Sequence, residues 1–201
     1  MSDPRILLLR HGETEWSRDG RHTGRTDLPL TSRGEAQARA AGGVLAPYAP
    51  TLVLTSPLQR ARRTAELAGL RVDGTDDDLR EWDYGDVEGI TTPDWQRGHP
   101  GWSVWADGPP GGETVQQVGG RADRALGRVC ASGHETVALV AHGHLLRILA
   151  ARWLGLDPTA GSLLRLDPAT LSLLGHEHER RVLLVWNAPM AEPMSESMSQ
   201  R

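Results

Sequence analysis

Three short apolar runs each break off into a polar stretch rich in Arg or His, and this pattern constrains the fold more than any other feature. The first, in Arg5–Leu9, ends on Arg10-His11-Gly12. The second, Thr51–Thr55, ends on Ser56-Pro57-Leu58-Gln59-Arg60. The third, Thr136–Ala141, ends on His142-Gly143-His144. Branched apolar runs of this length read as buried strands. Helical patterns lie between and after them. Thr31–Ala46 has Thr31 or Ser32 as a cap, Glu35 behind it and Pro47 to stop it. Leu58–Ala68, Gly112–Val129 and about His144–Leu154 follow. Further strands are expected at Leu70–Val72, Ser162–Leu166, Thr170–Gly175 and Arg181–Trp186. Strands alternating with helices predict an α/β fold. We expect a three-layer sandwich whose mostly parallel central sheet is flanked by helices.

In such sheets functional groups gather at the carboxyl ends of the strands. Parallel pairing therefore brings two His and two Arg to one edge. Gly12 and Gly143 remove side chains where a ligand or a second loop must come close. The guanidinium fork fits phosphate oxygens bidentately. A neutral imidazole can act as a nucleophile. The set suits a phosphoryl group, and a leaving alkoxide then needs a nearby carboxylic acid.

Composition narrows the alternatives. There is no Lys among the 22 basic residues, which excludes Walker-type phosphate loops and Schiff bases. The lone Cys130 rules out an internal disulfide framework and a Cys-rich zinc site. A cysteine phosphatase needs an Arg at a fixed step after its Cys, and Thr136 stands at that position after Cys130. An aspartyl-phosphate enzyme needs a strand-end Asp-x-Asp, whereas Asp76-Asp77-Asp78 follows no strong strand. The net charge of −4 favours neither nucleic acid nor a membrane surface. With no signal-peptide pattern at the start, the expected location is cytoplasmic.

Residues 1–187 read as a single domain. About 76–112 lacks periodicity and carries Trp82, Trp95, Trp102 and Trp105, which reads as a lid-like insertion. Residues 188–201 read as a flexible tail. His142 and His144 have no evident third ligand, so no metal site is expected. His176 and His178 read as a solvated face, and His22 as either cavity lining or exposed. Glu113 reads as a helix-start carboxylate or a second acid.

RHGETEW with TGRTDLPLT, then TSPLQRARRTA, LREWDYGDVEG, GGET and VAHGHLLR resemble the histidine phosphatase superfamily, in its phosphoglycerate mutase-like branch. The resemblance implies a phosphomonoesterase acting on small phosphorylated metabolites. It implies His11 as the nucleophile that becomes phosphohistidine, Glu81 as proton donor and His142 as the second pocket histidine. Arg10 and Arg60 match the phosphate-clamping arginines. Ser17, which stands where many relatives have Asn, and Thr23, Gly24, Gly143 and Arg147 complete the expected substrate-binding set. Arg147, near the start of the next helix, reads as a grip on a second phosphate or as a helix-surface Arg. No cofactor or metal is implied. The ETEWSRDGRHTGRTDLPLT and DDDLREWDYGDVEG segments are similar to a subgroup that contains a sedoheptulose-1,7-bisphosphatase and actinobacterial acid phosphatases, which points to a sugar phosphate or bisphosphate. The alternatives are a phosphoglycerate mutase-type transferase, which would need a longer cover over the site, and a catalytically silent phospho-ligand-binding module. An exposed edge or helix face would support a homodimer.

Overall fold

The computed structural model describes residues 4–189. Strands β1 (Arg5–Arg10), β2 (Leu52–Thr55), β3 (Gly74–Thr75), β4 (Thr136–Ala141), β5 (Leu171–Glu177) and β6 (Arg180–Ala188) form one sheet in the order β3-β2-β4-β1-β5-β6. The β3-β2-β4-β1 part is parallel, and β5 and β6 are antiparallel. Because β4 is central, both its faces must be covered, which is why TVALVA is apolar at nearly every position and buried throughout.

The helices are α1 (Glu15–Arg18), α2 (Ser32–Leu45), α3 (Gln59–Leu67), α4 (Thr92–Gln96), α5 (Val115–Ala131) and α6 (Gly143–Trp153). Strand alternation assigns them to layers. Leu7 and Leu9 of β1 pack with Ala41 and Leu45 of α2 and Ala61 and Ala65 of α3. Ile6 and Leu8 face Val118, Ala122 and Leu126 of α5 and Leu145 and Leu149 of α6. The result is the expected helix–sheet–helix sandwich.

Two expected strands are displaced. At Leu70–Val72 the ladder waits until Gly74, because the Asp73 carboxylate takes the Val53 N–H at 2.9 Å. At Ser162–Leu166 the chain instead makes a 3-10 turn, Pro158–Leu163, started by the Asp157 side chain. The Arg147 guanidinium occupies the Gly161 and Ser162 carbonyls that a ladder would have used, each at 3.0 Å.

The 76–112 segment is far from structureless. It holds α4 and 3-10 turns at Asp77–Leu79 and Gly85–Val87, and it buries Trp82, Tyr84 and Trp102. Arg121 of α5 anchors it by donating to the carbonyls of Asp78, Arg80 and Glu81 and pairing with Glu113. Trp82 packs, with its Nε1–H donated to the Glu113 carbonyl at 2.7 Å, while Trp102 and Trp105 also face a cavity. Ala188, expected to open the tail, is the last residue of β6, and the tail beyond residue 189 lies outside the described residues.

Candidate active site

The backbone splices the three junctions together. The His11 N–H donates to the Ala141 carbonyl and the Ser56 N–H to the Val140 carbonyl, both at 3.0 Å. The carboxyl ends of β1, β4 and β2 therefore meet beside a cavity of about 370 Å³. Its wall includes Arg10, His11, Glu81, Gly143, His144 and Arg147. The two glycines have different reasons. A Cβ on Gly12 would stand 2.3 Å from the Gly34 carbonyl of α2, a second-loop contact. One on Gly143 would press against the Arg10 guanidinium at 3.2 Å.

His11 is buried, and its Nδ1 lies 2.7 Å from the Gly12 carbonyl. A carbonyl only accepts, so Nδ1 carries the proton and Nε2 keeps its lone pair. Burial, then the charges of Arg60 and Arg10, hold the imidazole well below its ordinary value. The ring is neutral near pH 7, the state a nitrogen nucleophile requires.

Arg10 gives one N–H to the Leu166 carbonyl, while its buried Nε has no partner. An unsatisfied guanidinium donor in a cavity wall is costly unless an anion comes to it. Arg60 is different. It is fully buried, and its fork holds the carbonyls of Thr23, Gly24 and Thr26 at 2.9–3.1 Å. Arg60 Nε donates to His142 Nδ1 at 3.1 Å. Since Nδ1 accepts, the His142 proton sits on Nε2, which donates to Ser56 Oγ at 2.7 Å. His142 and Arg60 both have no solvent exposure, and neither lines the cavity. The His142 ring stands 5.2 Å from that of His11, centroid to centroid. Burial, then Arg60 and His11, keep it well below its ordinary value.

Glu81 lies at the start of α6. Its Oε1 accepts the N–H groups of Trp82 and Leu145, both at 2.9 Å, and Oε2 accepts that of His144 at 3.0 Å. The carboxylate serves the helix N-terminus and the cavity at once.

The remaining sequence candidates divide. Ser17 reaches the wall, but its hydroxyl donates to the Thr14 carbonyl at 3.0 Å and accepts the Thr14 N–H in the capping box of α1. It therefore presents no free donor to a phosphate oxygen. Thr23 lines the cavity while donating to the Arg21 carbonyl. Gly24 does not line it. A Cβ there would meet the Trp82 carbonyl at 2.4 Å, and its N–H is held by Glu88. Arg147 lines it with its guanidinium 4.6 Å over the Trp105 ring. Glu113 pairs with Arg121 and accepts the Asp83 N–H, so it is a tie between the 76–112 segment and α5. Sequence reasoning left His22 undecided and passed over Tyr84. His22 lines the cavity, with Nε2 3.1 Å from Thr92 Oγ1. Tyr84 holds His144 Nδ1 at 2.6 Å. Among the described residues no group of three His, Cys, Asp or Glu could hold a metal ion. No helix there is long and apolar enough to cross a membrane.

The imidazoles carry a consequence for stability. Burial lowers His11, His142 and His144 well below 6.5 and His22 to about 4. In the unfolded chain each takes its proton near its ordinary value of about 6.5. Below that pH the unfolded state binds more protons than the native state, so stability rises with pH across this window. Thermal melts should show a steady midpoint above about pH 7.5 and a falling one from about pH 6.5 towards 4. A midpoint that rises on acidification over that range would contradict the buried neutral assignment.

Comparisons with known proteins place the chain in a family. The family model described as histidine phosphatase superfamily, branch 1, matches residues 6–189. An acid phosphatase of Mycobacterium tuberculosis is 44% identical over 184 residues, covering 90% of this chain and 91% of that protein. Sedoheptulose 1,7-bisphosphatase of Saccharomyces cerevisiae is 41% identical over 187 residues, covering 76% of this chain and 68% of that protein. The solved structure of an open reading frame of Mycobacterium tuberculosis superposes with a TM-score of 0.87 at 43% identity, covering 92% of this chain and 98% of that one.

Proposed function

The chain belongs to the histidine phosphatase superfamily and is a phosphomonoesterase, and from that premise we propose that it hydrolyses a sugar phosphate or bisphosphate through a phosphohistidine on His11. The observation that carries the reading is the tautomer of His11: Nδ1–H is tied to the Gly12 carbonyl and Nε2 is left as a lone-pair nitrogen at the cavity.

His11 Nε2 attacks phosphorus and the bond to the ester oxygen breaks. Arg10, whose guanidinium lies beside Gly143 in the cavity wall, takes the phosphoryl oxygens. Oε1 of Glu81 already accepts two N–H groups while Oε2 accepts one, so the proton for the leaving oxygen is placed on Oε2. Glu81 then takes a proton from the water that attacks the phosphohistidine, releasing phosphate and restoring both groups. Arg60 supplies charge from behind the wall and, through Nε, fixes the tautomer of His142. His142 reaches the phosphoryl group once its Nε2–H turns from Ser56. Thr23 and Gly24 hold Arg60 through their carbonyls. Ser17 shapes the wall, Gly143 admits Arg10, and Arg147 meets a distal phosphate. The 76–112 segment acts as the lid on the leaving-group side. The sugar class draws support from the sedoheptulose 1,7-bisphosphatase relative and from indole, imidazole and guanidinium groups sharing one wall.

The test is a panel of sugar monophosphates, bisphosphates and an aryl phosphate, assayed with a chelator present. Phosphate release should continue with chelator and be fastest on sugar substrates, above about 10⁴ M⁻¹s⁻¹ in kcat/KM for the best of them. An enzyme that turns over aryl phosphates alone would refute the sugar assignment.

A further inference from the structure

His144 is a half-buried titratable side chain in the cavity wall to which the mechanism above gives no task. Its ring lies 5.0 Å from that of Trp105, 5.9 Å from Trp82 and 5.8 Å from Tyr84. Its one polar anchor is the Tyr84 hydroxyl on Nδ1, at 2.6 Å. Tyr84 is 2% exposed, and its hydroxyl proton needs an acceptor. His144 Nδ1 is the partner the structure provides, so the phenol donates and Nδ1 accepts. The imidazole proton then resides on Nε2. That nitrogen is not among the buried polar atoms lacking a partner, and the residue lines the cavity. The backbone N–H of the same residue donates to Glu81 Oε2. The residue is thus tied through its backbone to the proton donor, and the two share one cavity wall.

The geometry points to His144 as a specificity-determining residue whose Nε2–H donates to a hydroxyl or ring oxygen of the leaving group, in an orientation locked by Tyr84. This assignment rests on the sugar-phosphate reading above. Trp105 gives the same substrate an apolar face for its C–H groups, and Arg147 stacked on that indole limits the ring's movement. One N–H donor beside an indole face suits a polyol and gives nothing to an unsubstituted aryl group.

Wild type, His144→Leu, His144→Gln and Tyr84→Phe would be assayed on a hexose phosphate and on phenyl phosphate, whose leaving group carries no hydroxyl beyond the ester oxygen. His144→Leu should lower kcat/KM on the hexose phosphate about tenfold or more and on phenyl phosphate less than about threefold. His144→Gln, which keeps an N–H donor near the Nε2 position, should recover most of the loss. Tyr84→Phe should fall between, mainly through KM. Equal losses on both substrates, or no loss on the hexose phosphate, overturn the assignment while leaving the phosphatase reading intact. A wild type inactive on hexose phosphates overturns the sugar reading and this assignment with it.

Discussion

His11→Ala should abolish turnover on every phosphomonoester, by a factor of at least about 10⁴. The physical reason lies in the division of the imidazole. Nδ1–H is fixed by the Gly12 carbonyl, and burial beside two arginines keeps the ring neutral. Neither His144 nor His142 offers an unprotonated nitrogen with its opposite edge pinned in this way. His144 Nε2 carries its proton, and His142 has both ring nitrogens engaged. The variant should still fold, because His11 contributes one local hydrogen bond to its neighbour and the sheet registers run through backbone groups. It should still bind inorganic phosphate or vanadate, since Arg10 keeps its unpartnered Nε. Rapid acid-free quenching with labelled substrate gives the decisive readout. Wild type should accumulate an alkali-stable, acid-labile phosphoryl adduct that the variant lacks. Turnover within about tenfold of wild type in a folded His11→Ala protein would remove the phosphohistidine pathway.

Much of this site was legible in the sequence, because its logic is topological. Parallel pairing of three apolar runs places whatever follows them on one edge, and Arg10-His11 and His142-Gly143 follow two of those runs. The layers were legible for the same reason, since the alternation in RILLLR assigns Leu7 and Leu9 to one face and Ile6 and Leu8 to the other. What the sequence left open depends on side-chain direction over long range. Nothing in TSPLQR says that Arg60 spends its fork on the Thr23, Gly24 and Thr26 carbonyls and not on the cavity. Nothing in REWDYG places the Tyr84 hydroxyl on His144, because that contact needs the fold of the whole 76–112 segment against α6. The displaced strand at Ser162–Leu166 has the same origin. Its apolar run reads as a strand, but a distant guanidinium, Arg147, holds the Gly161 and Ser162 carbonyls at its start.

The largest effect after His11 should come from Glu81, and it should depend on the leaving group. On a hexose phosphate, Glu81→Gln should slow turnover by about 10²–10⁴, the usual worth of a positioned general acid. On p-nitrophenyl phosphate the leaving oxygen departs without a proton, so phosphorylation of His11 should survive. Hydrolysis of the phosphohistidine still needs a base, so that second step should become limiting. The expected trace is therefore a burst of nitrophenolate equal to the enzyme concentration, followed by a slow steady state. The competing explanation is that Glu81 merely holds the start of α6, since its two oxygens accept three backbone N–H groups. The glutamine variant tests this directly. Its amide oxygen can keep the Trp82 and Leu145 bonds, but its NH₂ faces the His144 N–H donor to donor. That mismatch should cost about 1–3 kcal/mol of stability, which a melt will register, but a purely structural loss would depress both substrates alike and give no burst. A burst on the aryl substrate with failure on the sugar identifies Glu81 as the group that carries the proton. Equal depression without a burst reassigns Glu81 to the helix and leaves the proton to another group in the wall.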